Sequence, residues 1–205
     1  MSEQGVQIVI IDDDPEMGTR PLFVKLVEKY KKKNVVWKEN PKEGINYIKE
    51  HLAQRTIIIL DYHFGINQTN GLTIFKDLLK ESSLLYIILN TAREINDIPN
   101  SELKAFINDH LMALVDKTDG YKATLRQVEK AINYLDNRVD CVLEEWIIRH
   151  EKFKQKTPYL KDEQGKSYNM REILYEIRAD TPFGKSMATN IIRTAITLLQ
   201  NEIKK

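Results

Sequence analysis

Acidic, hydroxyl and basic side chains stand at the ends of apolar runs in the first two thirds of this sequence. The runs are VQIVII, IIIL, LLYIILN and LMALVD, each short and continuous. Such runs are typical of strands buried on both faces of a sheet. The residues that follow them are Asp12, Asp13, Asp14, Asp61, Thr91 and Lys117.

Carboxylates, a hydroxyl and a lysine at one sheet edge suit the binding of a cation and of phosphoryl oxygens. Three carboxylates in a row at a strand end repel one another unless a cation or a lysine lies among them. Hard carboxylate oxygens are the ligands that Mg²⁺ prefers. A solvated acidic turn remains the alternative interpretation of residues 12–14, which the sequence alone leaves open.

The elements that would position these residues alternate between strand and helix. Strands are predicted at 6–11, 34–39, 57–60, 84–90 and 111–116, and helices at 20–32, 44–54, from 71 onward and near 101–108. This alternation predicts an α/β fold with a doubly wound, five-stranded parallel sheet. Because the carboxyl ends of parallel strands share one edge, we expect five of these residues to converge there: Asp12, Asp13, Asp61, Thr91 and Lys117.

Composition excludes several other classes of protein. The 205 residues are 42% apolar and 30% charged, with a net charge of +1, which is typical of a folded globular chain and gives no global attraction for nucleic acid. The single cysteine, Cys141, excludes an internal disulfide and fits a reducing compartment. No apolar run is long enough for a membrane helix, so we expect a cytoplasmic protein without a membrane partner.

With these residues in this order, the chain resembles the receiver domain of bacterial two-component response regulators over residues 5–135. The resemblance implies a flavodoxin-like fold in which Asp61 accepts a phosphoryl group in a Mg²⁺-dependent reaction and slowly loses it again. It also implies a sensor histidine kinase or a phosphotransfer protein as the donor. No separate enzymatic output is expected, because a chain of this length has no other visible active site.

The same resemblance assigns roles to individual residues. The implied Mg²⁺ ligands are Asp12, Asp13, Asp61 and the main-chain carbonyl of His63. Thr91 and Lys117 match the hydroxyl and the lysine that sense the phosphoryl group, and Ala92 is assigned to the same binding site.

A heptad pattern follows the receiver-like region. Leu125, Val128, Ile132, Leu135, Val139, Val142 and Trp146 recur at alternating spacings of 3 and 4. This pattern predicts one extended signalling helix over 124–156, between a receiver domain at 1–135 and a small helical output module at 157–205. Two partners are open for its second half: a second copy, giving a parallel homodimeric coiled coil, or the chain's own C-terminal module.

The C-terminal segment carries weaker signals. Residues 157–169 are typical of a short hairpin around Gly165. Asn169 and Glu172 indicate a capping box at the start of one helix, and Thr181-Pro182 indicates the start of a second. Two successive helices suit either a protein-binding output module or a DNA-binding one. Lys185 and Arg193 are the only basic residues of the second helix before its end. We therefore expect a protein partner, with a DNA-binding transcriptional regulator as the alternative.

Overall fold

The computed structural model describes residues 5–62, 78–92, 100, 104, 112–150, 155–162 and 164–203, with only the backbone at Thr91, Met112 and Ile203. The chain divides into two compact units, Met1–Asp136 and Asn137–Lys205. Among the described residues, no helix has both the length and the apolar character that crossing a membrane requires.

Five parallel strands form the sheet of the first unit. They are β1 (Gln7–Ile11), β2 (Val35–Lys38), β3 (Thr56–Asp61), β4 (Leu85–Thr91) and β5 (Met112–Asp116). Their order across the sheet is β2-β1-β3-β4-β5, and every neighbouring pair runs parallel. This order is compatible with a flavodoxin-like fold. The predicted α/β class and the five-stranded parallel sheet are confirmed.

Burial on both faces explains why the apolar runs form strands. Every residue of β1 and of β3 is buried, so side chains pointing to either face of the sheet enter a core. Each Ile or Leu buried in this way stabilises the fold by about 1.5–3 kcal/mol relative to an exposed position. Such a sheet needs a layer of helices on each side.

Helices supply these layers. They are α1 (Pro21–Tyr30), α2 (Pro41–Glu50) and α3 (Tyr121–Asp136), and residues 78–81 are also helical. α3 packs on α1 and on β3, β4 and β5. α2 lies so close to β1 that a Cβ on Gly44 would stand 2.5 Å from Ile11 Cδ1, which is why glycine occupies this position. The predicted helix at 101–108 lies outside the described residues, except for Lys104.

The extended helix predicted over 124–156 is corrected by the structure. α3 ends at Asp136 and a separate helix, α4 (Val139–Arg149), begins three residues later, with Arg138 extended at φ −89° and ψ 130°. Asp140 explains the new start: its Oδ1 accepts hydrogen bonds from Arg138 Nε at 2.9 Å and from the Cys141 amide at 3.1 Å. A carboxylate in the first turn favours a helix N-terminus at this position.

The heptad residues are consequently divided between two helices with different surroundings. Val128 and Leu135 of α3 are fully buried, whereas Val142 and Trp146 of α4 are 54% and 38% exposed. Residues buried on the sheet cannot also face a second copy. The structure therefore shows no continuous apolar stripe from 125 to 146, and a homodimer contact through the second half of the predicted helix stays a prediction.

Among its described residues, the second unit begins with α4 and contains a hairpin and two further helices, and residues 155–156 are also helical. β6 (Leu160–Lys161) pairs antiparallel with β7 (Ser167–Tyr168), and Gly165 takes the positive φ of 84° that the turn requires. α5 (Met170–Arg178) starts with the expected capping box of Asn169 and Glu172. α6 (Pro182–Ile203) starts at the expected proline.

Close packing joins the last two helices. A Cβ on Gly184 would lie 2.0 Å from the carbonyl oxygen of Glu176, so only glycine lets α6 approach α5 at this point. The ring of Phe183 stacks on Tyr168 of the hairpin, with the ring centroids 4.3 Å apart. The first two turns of α6 are thereby fixed to the rest of their unit.

Candidate functional site

Strand register brings the acidic residues to one level at the carboxyl edge of the sheet. Ile11 pairs with Leu60 in the neighbouring strand, so the residues that follow, Asp12 and Asp61, stand side by side. Lys117 follows β5 directly and reaches the same edge. The convergence expected from the sequence is therefore observed for these three residues.

The Lys117 ammonium lies between the two carboxylates. Its Nζ is 2.9 Å from Asp12 Oδ2 and 2.9 Å from Asp61 Oδ2. The side chains of Asp12 and Asp61 are only 4% and 10% exposed. Two buried carboxylates this close are tolerated because one shared cation offsets their repulsion.

The pKa of Lys117 reflects this arrangement. Burial alone would lower the pKa of its ammonium, but the hydrogen bonds and charges of Asp61 and Asp12 outweigh burial. The net effect raises the pKa above its ordinary value of 10.5. The Lys117 side chain is therefore protonated at neutral pH and pairs with both carboxylates.

Asp13 completes a set of three oxygen donors. One carboxylate oxygen from each of Asp12, Asp13 and Asp61 lies within 4.8 Å of the others, and Asp13 is the exposed member. Hard carboxylate oxygens with one side open to water fit Mg²⁺, which binds few protein ligands and keeps several waters. The acidic cluster has the chemistry and spacing to hold a divalent cation.

Main-chain contacts hold Asp12 in place. Its amide donates to the Lys38 carbonyl at 3.2 Å, and its carbonyl accepts from Trp37 Nε1 at 2.9 Å. Its Oδ1 accepts from the amide of Asp14 at 3.0 Å, which leaves Oδ2 to Lys117. The carboxylate is thus fixed before any ligand binds.

Asp14 differs from its two neighbours. Its carboxylate accepts from Arg20 Nε at 2.7 Å and from the Glu16 amide at 3.0 Å. The Arg20 hydrogen bond is the main reason that the pKa of Asp14 lies below its ordinary value. The solvated acidic turn considered for residues 12–14 therefore describes Asp14, whereas Asp12 belongs to the site.

Lys117 begins a short 3-10 helix, Lys117–Asp119, which holds its backbone in place. Asp116 caps it, with Oδ1 accepting from the amide and the hydroxyl of Thr118 at 2.8 and 2.7 Å. Gly120 ends it with a φ of 75°. The lysine backbone is therefore anchored on both sides.

The end of β4 contributes a residue that the sequence reasoning did not assign to the site. Asn90 pairs in register with Asp61, is only 5% exposed, and its Oδ1 has no hydrogen-bond partner among the described residues. A buried polar atom without a partner costs about 1–3 kcal/mol, so its presence needs a reason. A polar residue closing the apolar run LLYIIL was the available signal.

The remaining predicted site residues are described in part. The backbone of Thr91 ends β4 opposite Asp116, and Ala92 follows it in an exposed position. His63 lies outside the described residues. A comparison of the chain with protein-family models, curated proteins and solved structures finds no match.

Proposed function

We propose that this chain is a two-component response regulator whose first unit is a receiver domain phosphorylated on Asp61. One observation carries the proposal: Lys117 Nζ lies 2.9 Å from both Asp12 and Asp61 at the carboxyl edge of a five-stranded parallel sheet. A lysine shared between two buried carboxylates provides a nucleophile, an acidic metal ligand and a cation for phosphoryl oxygens in one place.

The reaction follows from the charges in the site. An Asp61 carboxylate oxygen attacks the phosphorus of the donor in line, the bond from phosphorus to the leaving group breaks, and that group departs with the electron pair. The product is an acyl phosphate. Asp12, Asp13, Asp61 and the His63 carbonyl would hold Mg²⁺, which would supply positive charge to the transferring phosphoryl oxygens.

Lys117 changes partner during this reaction. Before transfer it neutralises Asp61, and after transfer its ammonium pairs with a phosphoryl oxygen. The anchoring by Asp116 and Thr118 keeps it within reach in both states. In this proposal Thr91 supplies a hydroxyl to the phosphoryl group beside Ala92, so that modification of Asp61 is sensed at the end of β4.

The phosphoryl donor is a sensor histidine kinase or a phosphotransfer protein, and the setting is the cytoplasm. The second unit is the output module, and its partner is a protein. Two facts support a protein partner: Lys185 and Arg193 are the only basic residues among residues 182–203, and large aliphatic side chains on the same helix are exposed. A nucleic-acid interface requires a denser basic surface.

Phosphorylation by a low-molecular-weight acyl phosphate tests the proposal. Wild type incubated with Mg²⁺ should gain one phosphoryl group by intact mass, and Asp61→Asn should gain none. Asp14→Asn is the matched control, because Arg20 and the Glu16 amide engage that carboxylate outside the site, so this variant should gain one phosphoryl group like wild type. Equal incorporation in wild type and Asp61→Asn would refute the assignment.

The output is tested separately by duplex DNA binding at low salt. A protein-binding module should show no binding above background. Binding with a steep salt dependence that Lys185→Glu and Arg193→Glu abolish would instead establish the transcriptional alternative.

A further inference from the structure

The second half of α6 is exposed around its whole circumference. No residue from Thr189 to Glu202 is buried, although the helix is fixed at its start by Gly184 and Phe183. About 14 residues of regular helix therefore extend past the contacts that hold the helix in its own unit, over a length of ~21 Å.

These exposed residues are strongly segregated. Five large aliphatic side chains share one side of the helix, with exposed fractions of 37% for Ile191, 48% for Ile192, 50% for Ile196, 61% for Leu198 and 59% for Leu199. At ~100° per residue they span roughly 160° of the circumference. We call them the apolar stripe. The opposite side consists of polar residues: Thr189, Asn190, Arg193, Thr194, Thr197, Gln200 and Asn201.

Local propensity does not account for this helix. Six of the residues between 189 and 197 are β-branched, namely Thr189, Ile191, Ile192, Thr194, Ile196 and Thr197. β-branched residues are mediocre helix formers, and isolated helices shorter than ~12–15 residues are marginal in water. Packing of the apolar stripe must therefore stabilise the segment.

We propose that the apolar stripe is a homodimerisation surface, covered by the same stripe of a second copy. Area supports this occupant. Five half-exposed aliphatic side chains present roughly 450 Å² of apolar surface, which is about the size of the largest apolar patch on a typical monomer, a patch that is often an interaction site. A standard interface buries ~800 Å² per partner, of which about 60% is apolar. The stripe supplies that apolar share.

Charge is sparse along the apolar stripe. Arg193 and Glu202 are the only charged residues between 189 and 202; at ~100° per residue Arg193 falls on the polar side, whereas Glu202 falls within the arc of the stripe, at its C-terminal end. In a symmetric interface every patch meets a copy of itself, so charge in the middle of the contact would repel its copy. The five aliphatic side chains are uncharged, so they can meet their own copies without repulsion, and they offer nothing to attract an acidic or basic ligand. This dimer contact is independent of Asp61 and of the heptad residues in α3 and α4.

Sedimentation velocity of the full chain over a concentration series tests the proposal. Wild type should sediment as a dimer, and the double variant Ile196→Glu/Leu199→Glu should weaken dimerisation roughly a hundredfold or more, because it places charges in the apolar contact. The control is Thr194→Glu/Thr197→Glu, which adds the same charges at the same spacing on the polar side and should remain dimeric. Circular dichroism establishes that both variants keep their helices.

Hydrogen exchange of unaltered wild type gives a second readout that does not depend on any variant. Protection of the amides of residues 189–202 should increase with protein concentration. A wild type that stays monomeric at every concentration would overturn the proposal, and so would a stripe variant that dimerises like wild type. Protection that is strong but independent of concentration in a monomer would show that the chain covers the stripe itself, and would also overturn it.

Discussion

Lys117 Nζ and Asp61 Oδ2 lie 2.9 Å apart, and the same nitrogen is 2.9 Å from Asp12 Oδ2. The ammonium is the common counter-ion of two carboxylates that are almost completely buried. The stability of the first unit and the proposed phosphorylation therefore depend on the same three side chains. Measurements of stability thus also test the arrangement on which the chemistry depends.

Replacing Lys117 with methionine should destabilise the first unit. The variant keeps the length of the side chain but leaves two buried carboxylates without their cation, so we expect a loss of about 2 kcal/mol in the free energy of unfolding at pH 7 in EDTA. Urea unfolding followed by Trp37 fluorescence measures this, in a Trp146→Phe background. The exposed Lys25, 2.7 Å from Glu28, is the control, and Lys25→Met should leave the unfolding midpoint unchanged. If Lys117→Met and Lys25→Met unfold at the same urea concentration, Lys117 does not serve as the shared cation of Asp12 and Asp61.

The same pair predicts an alkaline limit to stability. The pKa of Lys117 is higher in the folded chain than its ordinary value of 10.5, so the folded state binds the proton more tightly. The resulting stabilisation is complete below about pH 10.5 and disappears as the pH rises through the folded-state pKa. The difference in unfolding free energy between wild type and Lys117→Met should therefore shrink above that pH. A constant difference would show that the charge of Lys117 is not its cause.

Neighbouring aspartates should differ in their effect on Mg²⁺ binding. Asp13 belongs to the set of three oxygen donors, whereas Asp14 is engaged by Arg20. Asp13→Asn should weaken Mg²⁺ binding by about tenfold or more, and Asp14→Asn should leave it close to wild type. Trp37 reports binding directly, because its Nε1 donates to the Asp12 carbonyl at 2.9 Å. Equal weakening by both substitutions would indicate a diffuse acidic attraction instead of a coordinated ion.

Several parts of this structure follow directly from the sequence. Four apolar runs predicted β1, β3, β4 and β5, because strands in a parallel sheet require nearly uninterrupted apolar residues, and the strand ends predicted the meeting of Asp12, Asp61 and Lys117. The break between α3 and α4 was not predicted, because the heptad spacing of apolar residues continues unchanged across Asp140. Asp140 starts a new helix through hydrogen bonds to Arg138 and to its own neighbour, Cys141.

Asn90 was missed for a different reason. Its neighbours in the run are apolar, and only the register with Asp61 shows that its amide stands beside the acidic residues. The sequence also did not predict that the apolar stripe on α6 is exposed. An amphipathic pattern indicates that one side of a helix is covered, but it does not identify the surface that covers it.

Asn90→Val should separate stability from function. The substitution replaces a buried oxygen that lacks a partner with an apolar group, so the free energy of unfolding should rise by about 1 kcal/mol. If the amide serves the site beside Asp61, phosphoryl incorporation should become slower by about tenfold while stability improves, as expected where function is retained at a cost in stability. Urea unfolding and the rate of incorporation are measured on the same preparation. Unchanged incorporation would limit Asn90 to a structural role.

Chemical trapping shows whether Asp61 becomes an acyl phosphate. Borohydride reduces an aspartyl phosphate to homoserine and leaves free aspartate unchanged. After treatment with an acyl phosphate donor and Mg²⁺, followed by borohydride and peptide mass mapping, we expect homoserine at position 61 alone, and none when EDTA replaces Mg²⁺. Absence of homoserine at 61, or its appearance at 12 or 13 instead, would show that Asp61 is not the phosphorylated residue.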